Sequence, residues 1–222
     1  MKTLLPCELS PQSPSLSFIR QFYVKQELCG LRRMETQART LTDKQLKQVL
    51  AHCSTRRHAG RDRAIVLFSF LAGLRAKEIA LLTVQNVRDE DGAIREEFVL
   101  SPQQTKGHKA RRVFLSTKLR TELAGYLKQA KLRRTCEALF QSQKGVAFSA
   151  NTLCQLLLRV YDAAGFGDAT SHSGRRTFIT NLAAKGIGVR VLAELAAHSS
   201  IATTQRYIDV NDEQLRAAVE LA

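Results

Sequence analysis

Residues 64–72 are apolar on nearly every side of a helix. They read AIVLFSFLA, contain no charged residue and are followed by Gly73. A helix without a polar face has to be surrounded by other elements, because the water-facing side of a helix normally carries polar residues. The segment therefore predicts a central buried helix in a helix-rich globular domain. The uncharged run ends at Leu74, far short of the roughly 18 residues that a membrane span needs.

Amphipathic segments on both sides of this helix supply elements that could cover it. Thr42 and Ser149 are N-cap residue types, and each precedes a run of apolar residues at helical spacing. A polar basic loop is expected at 54–60, and Asn211 or Asp212 is expected to cap a last helix. The pattern predicts helices over these ranges: 43–53, 64–72, 76–82, 119–130, 150–164, 178–185, 189–196 and 211–222.

Short strand-like pieces interrupt the helices in the middle of the chain. They are Ile94, Phe98–Leu100 and Val113–Leu115, and the polar segment Thr105–Lys109 lies between the last two as a hairpin tip. The fold class expected from these patterns is α+β, mainly α-helical, with a small antiparallel β-sheet.

The first forty residues differ from the rest in composition. Three of the four prolines lie within 1–14, which predicts a disordered lead-in, and a short helix is expected over 15–29, followed by a linker. The expected domains are therefore 1–40, a lead-in with a short helix and linker, and 41–222, a globular domain. Lys2 is not followed by a secretory signal pattern, so a cytoplasmic location is expected.

Basic residues outnumber acidic ones strongly. The chain has 34 Lys and Arg against 20 Asp and Glu, a net charge of +14, and a pI near 10.0. Residues 111–165 carry 10 basic and 3 acidic side chains, whereas 166–222 carry 6 of each. Such a surplus predicts a polyanionic partner, most often nucleic acid, although a generally basic protein would also have it.

Several common functional signatures are missing from the sequence. It contains no GxxxxGK[ST] or GxSxG motif, and Gly186-Ile187-Gly188 lacks the third glycine of a dinucleotide site. The five cysteines are an odd number with no CxxC pair, which disfavours both a disulfide framework and a zinc site. We therefore expect no cofactor and no metal.

Six scattered residues remain as candidates for chemistry. They lie in five short segments, taken here in chain order: AGLRAKEI at 72–79, TKG at 105–107, HSGRRTF at 172–178, AHSS at 197–200 and TTQRY at 203–207. Each segment alone has an ordinary structural explanation, but the ordered series resembles the tyrosine recombinase (phage-integrase) family over about residues 41–210.

The resemblance implies the fold of a tyrosine recombinase catalytic domain and a role for each candidate. Phosphate would be held by Arg75, Arg175 and His198, protons would be handled by Lys106 and His172, Tyr207 would be the nucleophile, and Glu78 would orient Arg75. The chemistry is consistent, because guanidinium groups pair with an anionic phosphodiester and a phenol with a pKa of about 10 needs a base or cations to attack. A 3′-phosphotyrosine intermediate stores the bond, so neither ATP nor a metal is required.

Two positions and the N-terminal segment depart from the family pattern. Arg176 stands where relatives most often have histidine, and Ala197 where they usually have glycine. Only about forty residues precede the catalytic part, so the chain resembles minimal recombinases that lack a full N-terminal DNA-clamping domain, such as fimbrial inversion enzymes and some plasmid resolution enzymes.

The expected partners follow from the resemblance. They are double-stranded DNA, further copies of the chain in dimers and a tetramer on DNA, and an accessory DNA-bending protein in some systems; no membrane partner is expected. The segment 211–222 is expected to dock on a neighbouring subunit, with docking onto its own core as the alternative.

Two other functions stay open at this point. One is a relaxing enzyme like the type IB topoisomerases, and the other is a DNA-binding accessory protein or transcription factor on an integrase scaffold. The preferred function is a site-specific DNA recombinase of a mobile element. The sequence leaves the target site open, and it does not choose between integration, excision, inversion and multimer resolution.

Overall fold

Helices dominate the part of the chain that the computed structural model describes, which is residues 37–105, 107, 109–133, 135–207 and 219–220. The elements in chain order are α1 Asp43–Ser54, α2 Ala59–Leu71, α3 Ala76–Ala80, α4 Val84–Val87, β1 Glu97–Leu100, a 3₁₀ turn Pro102–Gln104, β2 Arg111–Phe114, α5 Thr117–Gln129, α6 Ala150–Ala163, α7 Ser173–Ala184, α8 Val189–Ala196 and α9 Ile201–Gln205.

Helix α2 lies at the centre, as its apolar sequence predicts. Its residues 64–70 are all buried, and the helix packs against α1, α5 and α7. The loop predicted at 54–60 is present only over residues 55–58, since α1 ends at Ser54 and α2 begins at Ala59. Arg61 and Asp62, which lie between the predicted loop and the predicted helix, are buried in the first turn of α2 and bonded to each other at 2.8 Å, and Arg56 also reaches Asp62 at 2.8 Å. Mutual neutralisation lets these charged residues sit inside a helix.

Two N-caps predicted from sequence are present. The Thr42 hydroxyl accepts a hydrogen bond from the backbone N–H of Gln45 at 3.3 Å, and the Ser149 hydroxyl accepts one from Thr152 at 3.1 Å. These bonds satisfy N–H groups that have no partner inside the helix, which is why both helices begin where the cap residues stand.

The small antiparallel sheet consists of β1 and β2. Leu100 pairs with Arg111 and Phe98 with Val113, so these residues share the buried face of the hairpin. This sheet and the surrounding helices confirm the expected α+β, mainly helical class. The strand expected at Ile94 is wrong, because this residue makes only an isolated bridge to Arg88. At the tip, Lys106 and His108 lie outside the described residues.

The remaining differences concern short or undescribed elements. Helices α4 and α9 were not predicted because four or five residues are too few to show a helical period, and the helix predicted over 76–82 ends at Ala80. The helix expected over 15–29 lies outside the described residues, as does all but 219–220 of the one expected over 211–222. No described helix has the length and apolar character needed to cross a membrane.

Candidate active site

A tight turn after α2 places the first candidate residue. Gly73 has φ +61°, and a Cβ added to it would lie 2.5 Å from the Phe178 ring, so both conformation and space require glycine there. The chain then reverses and Arg75 becomes the N-cap of α3. The end of α2 and the Phe178 ring that packs against Gly73 therefore determine the position of Arg75.

A buried carboxylate holds Arg75 in place. Glu78 is 0% exposed; one of its carboxylate oxygens accepts the Arg75 backbone N–H at 2.8 Å and the other accepts the Arg75 guanidinium at 2.9 Å. Glu78 holds the Arg75 guanidinium from its buried side, while 24% of the Arg75 side chain stays exposed to solvent.

The second arginine of the site, Arg175, lies on α7. Arg175 is 5% exposed, and its guanidinium donates to the carbonyl oxygens of Gly73, at 2.6 Å, and Ala196. A Cβ on Gly174 would lie 2.4 Å from the Ser69 hydroxyl, so this glycine lets α7 approach α2 closely. Burial, followed by repulsion from neighbouring arginines, lowers the pKa of Arg175 to about 9, so the guanidinium stays charged at neutral pH.

His198 is placed by the cap that ends α8. The backbone N–H of Ala197 donates to Glu194 and that of His198 to Ala193, both at 2.9 Å, with Ala197 left-handed at φ +47°. This is the Schellman motif, whose left-handed position favours glycine. The His198 Nδ1 lies 2.8 Å from the Thr204 hydroxyl oxygen, and this contact fixes the ring.

Replacing Ala197 with glycine is expected to stabilise the protein. A left-handed conformation costs an L-residue about 1–2 kcal/mol, while glycine loses about 0.5–1 kcal/mol in backbone entropy, so the expected gain is about 0.5–1 kcal/mol in the free energy of unfolding. Urea unfolding measures it.

The matched control is Gly186→Ala. Gly186 occupies the equivalent position after α7 with φ +79°, and a Cβ there meets no atom within 4 Å. The same argument predicts a loss of about 1 kcal/mol. Equal signs for the two substitutions would contradict the conformational explanation.

The environment of His198 keeps its ring neutral. Desolvation, followed by repulsion from Arg175, Arg75 and Arg111, lowers the pKa of His198 to about 4 from its ordinary 6.5. Between these two pH values the unfolded chain binds a proton at this position that the folded chain does not. The free energy of unfolding contributed by His198 is therefore expected to fall as the pH drops from about 6.5 to about 4.

The measurement is urea unfolding of the native chain and of His198→Gln across this pH window. The native chain should lose more stability on acidification than the variant. The pKa of His58 is also lowered by burial, so His58→Gln serves as a control with the same sign at a separate place. Parallel pH curves for the native chain and His198→Gln would be the contrary result.

Tyr207 lies two residues after the end of α9 and packs on His198. The two rings are stacked at 20°, with centroids 5.7 Å apart, and the Arg176 guanidinium lies 5.5 Å from the Tyr207 ring centroid. Its backbone is held as well, because the Tyr207 carbonyl accepts from the Thr180 hydroxyl at 3.3 Å. Arg176, the departure from the family pattern, thus contacts the candidate nucleophile as a cation over an aromatic face.

An open cleft of about 610 Å³ is lined by residues that include Arg75, Glu78, Thr105, Arg111 and His198. Arg175 and Tyr207 lie outside this lining, but Arg175 binds the carbonyl of Ala196, next to Ala197 of the lining, and Tyr207 stacks on His198. Exposed His172 is the N-cap of α7. Lys106 is outside the described residues, although its neighbour Thr105 lines the cleft. A larger cleft of about 880 Å³ lies elsewhere and contains none of the six candidates.

Arg111 is a site residue that the sequence reasoning missed. It is 4% exposed, lines the cleft and binds Glu78 at 2.8 Å. A signal was present in the strand, since Val113 is apolar and inward, and a residue two positions away faces the same side. An arginine at an inward strand position needs a buried partner, and Glu78 supplies it.

The charge balance suits an anion. Arg75, Lys109 and Arg111 line the cleft and Arg175 lies beside it, against the carboxylates of Glu78 and Glu194. Glu78 already serves two arginines. A phosphodiester would relieve repulsion among these guanidiniums and accept hydrogen bonds from Arg75 and Arg175. Among the residues described, no group of three or more His, Cys, Asp or Glu is placed to hold a metal ion.

Known tyrosine recombinases are similar to this chain in sequence and in fold. The XerA tyrosine recombinase of Pyrococcus furiosus is 30% identical over 193 residues, which cover 85% of this chain and 63% of the relative. A crystal structure of XerA recombinase matches 92% of this chain and 72% of that one, with 24% identity and a TM-score of 0.66. The XerH site-specific recombinase bound to palindromic difH substrate, in a post-cleavage complex, matches 81% of this chain and 51% of that one, with 21% identity and a TM-score of 0.63.

The family model described as the phage integrase family matches residues 39–214, which include all six candidate residues. The match covers 63% of the curated XerA relative, so the chain spans less than two thirds of that relative's length. With its helical fold, its small sheet and the ordered residues around the cleft, the chain belongs to the phage integrase family of tyrosine recombinases.

Proposed function

We propose that this chain is a site-specific DNA recombinase that cuts and rejoins strands through a 3′-phosphotyrosine. The observation that carries the proposal is a cationic cleft lined by Arg75 and His198, with Arg175 bound to the Ala196 carbonyl beside it and Tyr207 stacked on His198. An anionic phosphate would fit against these guanidiniums, and the stack keeps the Tyr207 ring next to a residue of the cleft lining. We propose the segment 41–222 as the catalytic domain.

In the proposed cleavage step, one bond to phosphorus forms as another breaks, and each proton released has an acceptor. The Tyr207 oxygen attacks the scissile phosphorus and forms a P–O bond while the bond from phosphorus to the 5′-oxygen breaks. The phenol proton passes to a base, for which we propose His172, and the leaving 5′-oxygen takes a proton from an acid, for which we propose Lys106. A second DNA hydroxyl reverses the reaction, so the phosphotyrosine energy is retained without ATP.

The phosphate-holding roles follow from the contacts. Arg75 is oriented by Glu78, and Arg175 is fixed by two carbonyls, so both guanidiniums are organised before the substrate arrives. If the Thr204 hydroxyl donates to Nδ1 of His198, the neutral ring carries its hydrogen on Nε2 and can donate to a phosphate oxygen. Donors fixed in this way stabilise the developing negative charge without reorganising.

The proposed recombination reaction also implies how many copies of the chain assemble on DNA. Two duplexes contain four strands and each chain contributes one Tyr207, so exchange needs four copies on DNA. Ile187, Val191 and Ile201 are exposed apolar side chains in the segment that precedes Tyr207 in the chain, and we propose that they contribute to self-association. The proposed docking of 211–222 on a neighbouring copy, an accessory DNA-bending protein and a cytoplasmic location belong to the same proposal.

A capture experiment tests this function. Duplex fragments that tile the DNA flanking the coding sequence are incubated with the chain, and adducts resistant to detergent are isolated and sequenced. The recovered site is then made as a duplex with a nick near the cleavage point, which traps the cut strand. We expect a covalent adduct on the nicked duplex and rejoined product on the intact one.

The salt dependence of DNA binding and the formation of a covalent adduct distinguish the alternative functions. Binding should weaken steeply with salt, because each neutralised phosphate contributes a slope of about −0.9. Binding without any adduct would indicate a DNA-binding accessory protein instead. An adduct that relaxes supercoils without joining two sites would indicate a relaxing enzyme.

A further inference from the structure

One buried guanidinium connects three segments of the site. The Arg111 side chain donates to a Glu78 carboxylate oxygen at 2.8 Å and to the Leu195 carbonyl. Glu78 in turn holds Arg75, and Leu195 lies in the last turn of α8, three residues before His198. Arg111 itself is the first residue of β2, directly after the hairpin tip. A single side chain thus ties the hairpin, the Arg75 turn and the His198 cap together.

Stability alone does not explain this arginine. It is 4% exposed, its Nε donor is buried and has no hydrogen-bond partner among the described residues, and the one carboxylate it binds is shared with Arg75. Burial lowers the pKa of Arg111 despite the neighbouring Glu78. Buried ion pairs with incomplete hydrogen bonding are often no better for stability than apolar side chains. The arrangement therefore points to a geometric role.

We propose that Arg111 is a positioning residue for DNA cleavage, acting through Glu78 on Arg75 and through Leu195 on the segment that carries His198. This rests on the proposed recombinase function. With Arg111 bound to one carboxylate oxygen, Glu78 cannot rotate away from Arg75, so the guanidinium is held at the angle that the phosphate requires. In this proposal Arg111 acts through its contacts with Glu78 and the Leu195 carbonyl and makes no contact of its own with the phosphate.

The adjacent residue offers a matched control. Arg112 points outward from the same strand with 63% of its side chain exposed, and its nearest acid is Glu97 at 3.6 Å. It shares residue type, strand and distance from the tip with Arg111 but has no contact with Glu78 in the described ion pairs. Arg111→Lys and Arg112→Lys therefore differ only in which face of β2 they alter.

The test measures single-turnover adduct formation on the nicked duplex recovered by the capture experiment. A lysine keeps the charge but cannot bind Glu78 and Leu195 together, so Arg111→Lys should slow cleavage about 10- to 100-fold, as small misplacements of a catalytic group do. DNA affinity should change by less than about threefold, and the salt slope should stay unchanged, because no phosphate contact is lost. Arg112→Lys should leave the cleavage rate unchanged.

A double-mutant cycle separates positioning from folding. In a Glu78→Gln background, Arg111→Lys should slow cleavage by a smaller factor than in the native chain, since the route through Glu78 to Arg75 is already weakened and only the route through Leu195 remains. Arg111→Met, followed by circular dichroism and thermal unfolding, provides a second variant if the lysine folds poorly.

Three results would overturn the proposal. Cleavage by Arg111→Lys at the native rate removes any role, additive effects in the cycle contradict an action of Arg111 through Glu78 on Arg75, and a lower salt slope indicates direct phosphate binding. Absence of adduct with the native chain would instead contradict the recombinase function on which the proposal rests.

Discussion

Tyr207→Phe is expected to abolish covalent adduct formation while leaving DNA binding nearly intact. Removing a nucleophile typically lowers the rate by several orders of magnitude, on the order of 10⁴-fold or more. The phenylalanine ring keeps the stack on His198 and the contact with the Arg176 guanidinium, so the fold of the site should persist. Gel-shift affinity and detergent-resistant adduct are measured on the same nicked duplex.

Tyr161→Phe is the matched control for this prediction. Tyr161 is fully buried, and its hydroxyl has no hydrogen-bond partner among the described residues. Loss of that hydroxyl should not alter cleavage. If Tyr207→Phe forms adduct, another residue is the nucleophile.

Arg175→Lys is expected to have the second largest effect, a loss of about 100-fold or more in cleavage. Removing one fixed donor to a developing oxyanion costs roughly 10²–10³ in rate, and lysine cannot reproduce a planar guanidinium that bridges two carbonyls and a phosphate. The free energy of unfolding should fall by about 1–3 kcal/mol, because the Gly73 or Ala196 carbonyl loses a buried donor.

Two comparisons show whether this loss belongs to the chemistry. Arg190→Lys, at an exposed arginine on α8, should be neutral in both assays. Burial and repulsion from Arg75 and Arg111 already disfavour the charge of Arg175, so part of its contribution to stability is offset. Unchanged cleavage with lowered stability would restrict Arg175 to a structural role.

The sequence predicted the main elements because each carries a strong local signal. The all-apolar run made α2 recognisable as the central helix, and Thr42 and Ser149 located two helix starts. The ordered short segments selected Arg75, His172, Arg175, His198 and Tyr207 as candidates before their positions were known. Their individual roles, and that of Lys106, stay predictions.

What the sequence missed depends on contacts between distant residues. The start of α2 was predicted too late because Arg61 and Asp62 are charged, and their mutual neutralisation is visible only in the folded chain. Arg111 was overlooked because its partner Glu78 is thirty-three residues away. The hydrogen bond between His198 and Thr204, and the cation of Arg176 over Tyr207, likewise join residues whose spacing alone suggests no contact.

The most direct test of the central claim locates the covalent bond. The adduct trapped on the nicked duplex is digested with nuclease and trypsin, and the peptide that retains a nucleotide is identified by mass spectrometry. Trypsin cuts after Arg206 and Arg216, so Tyr207 begins the peptide 207–216 and is its single tyrosine. The account predicts a 3′-phosphonucleotide on Tyr207 in that peptide. A nucleotide on any other residue, or a 5′ linkage, would contradict it.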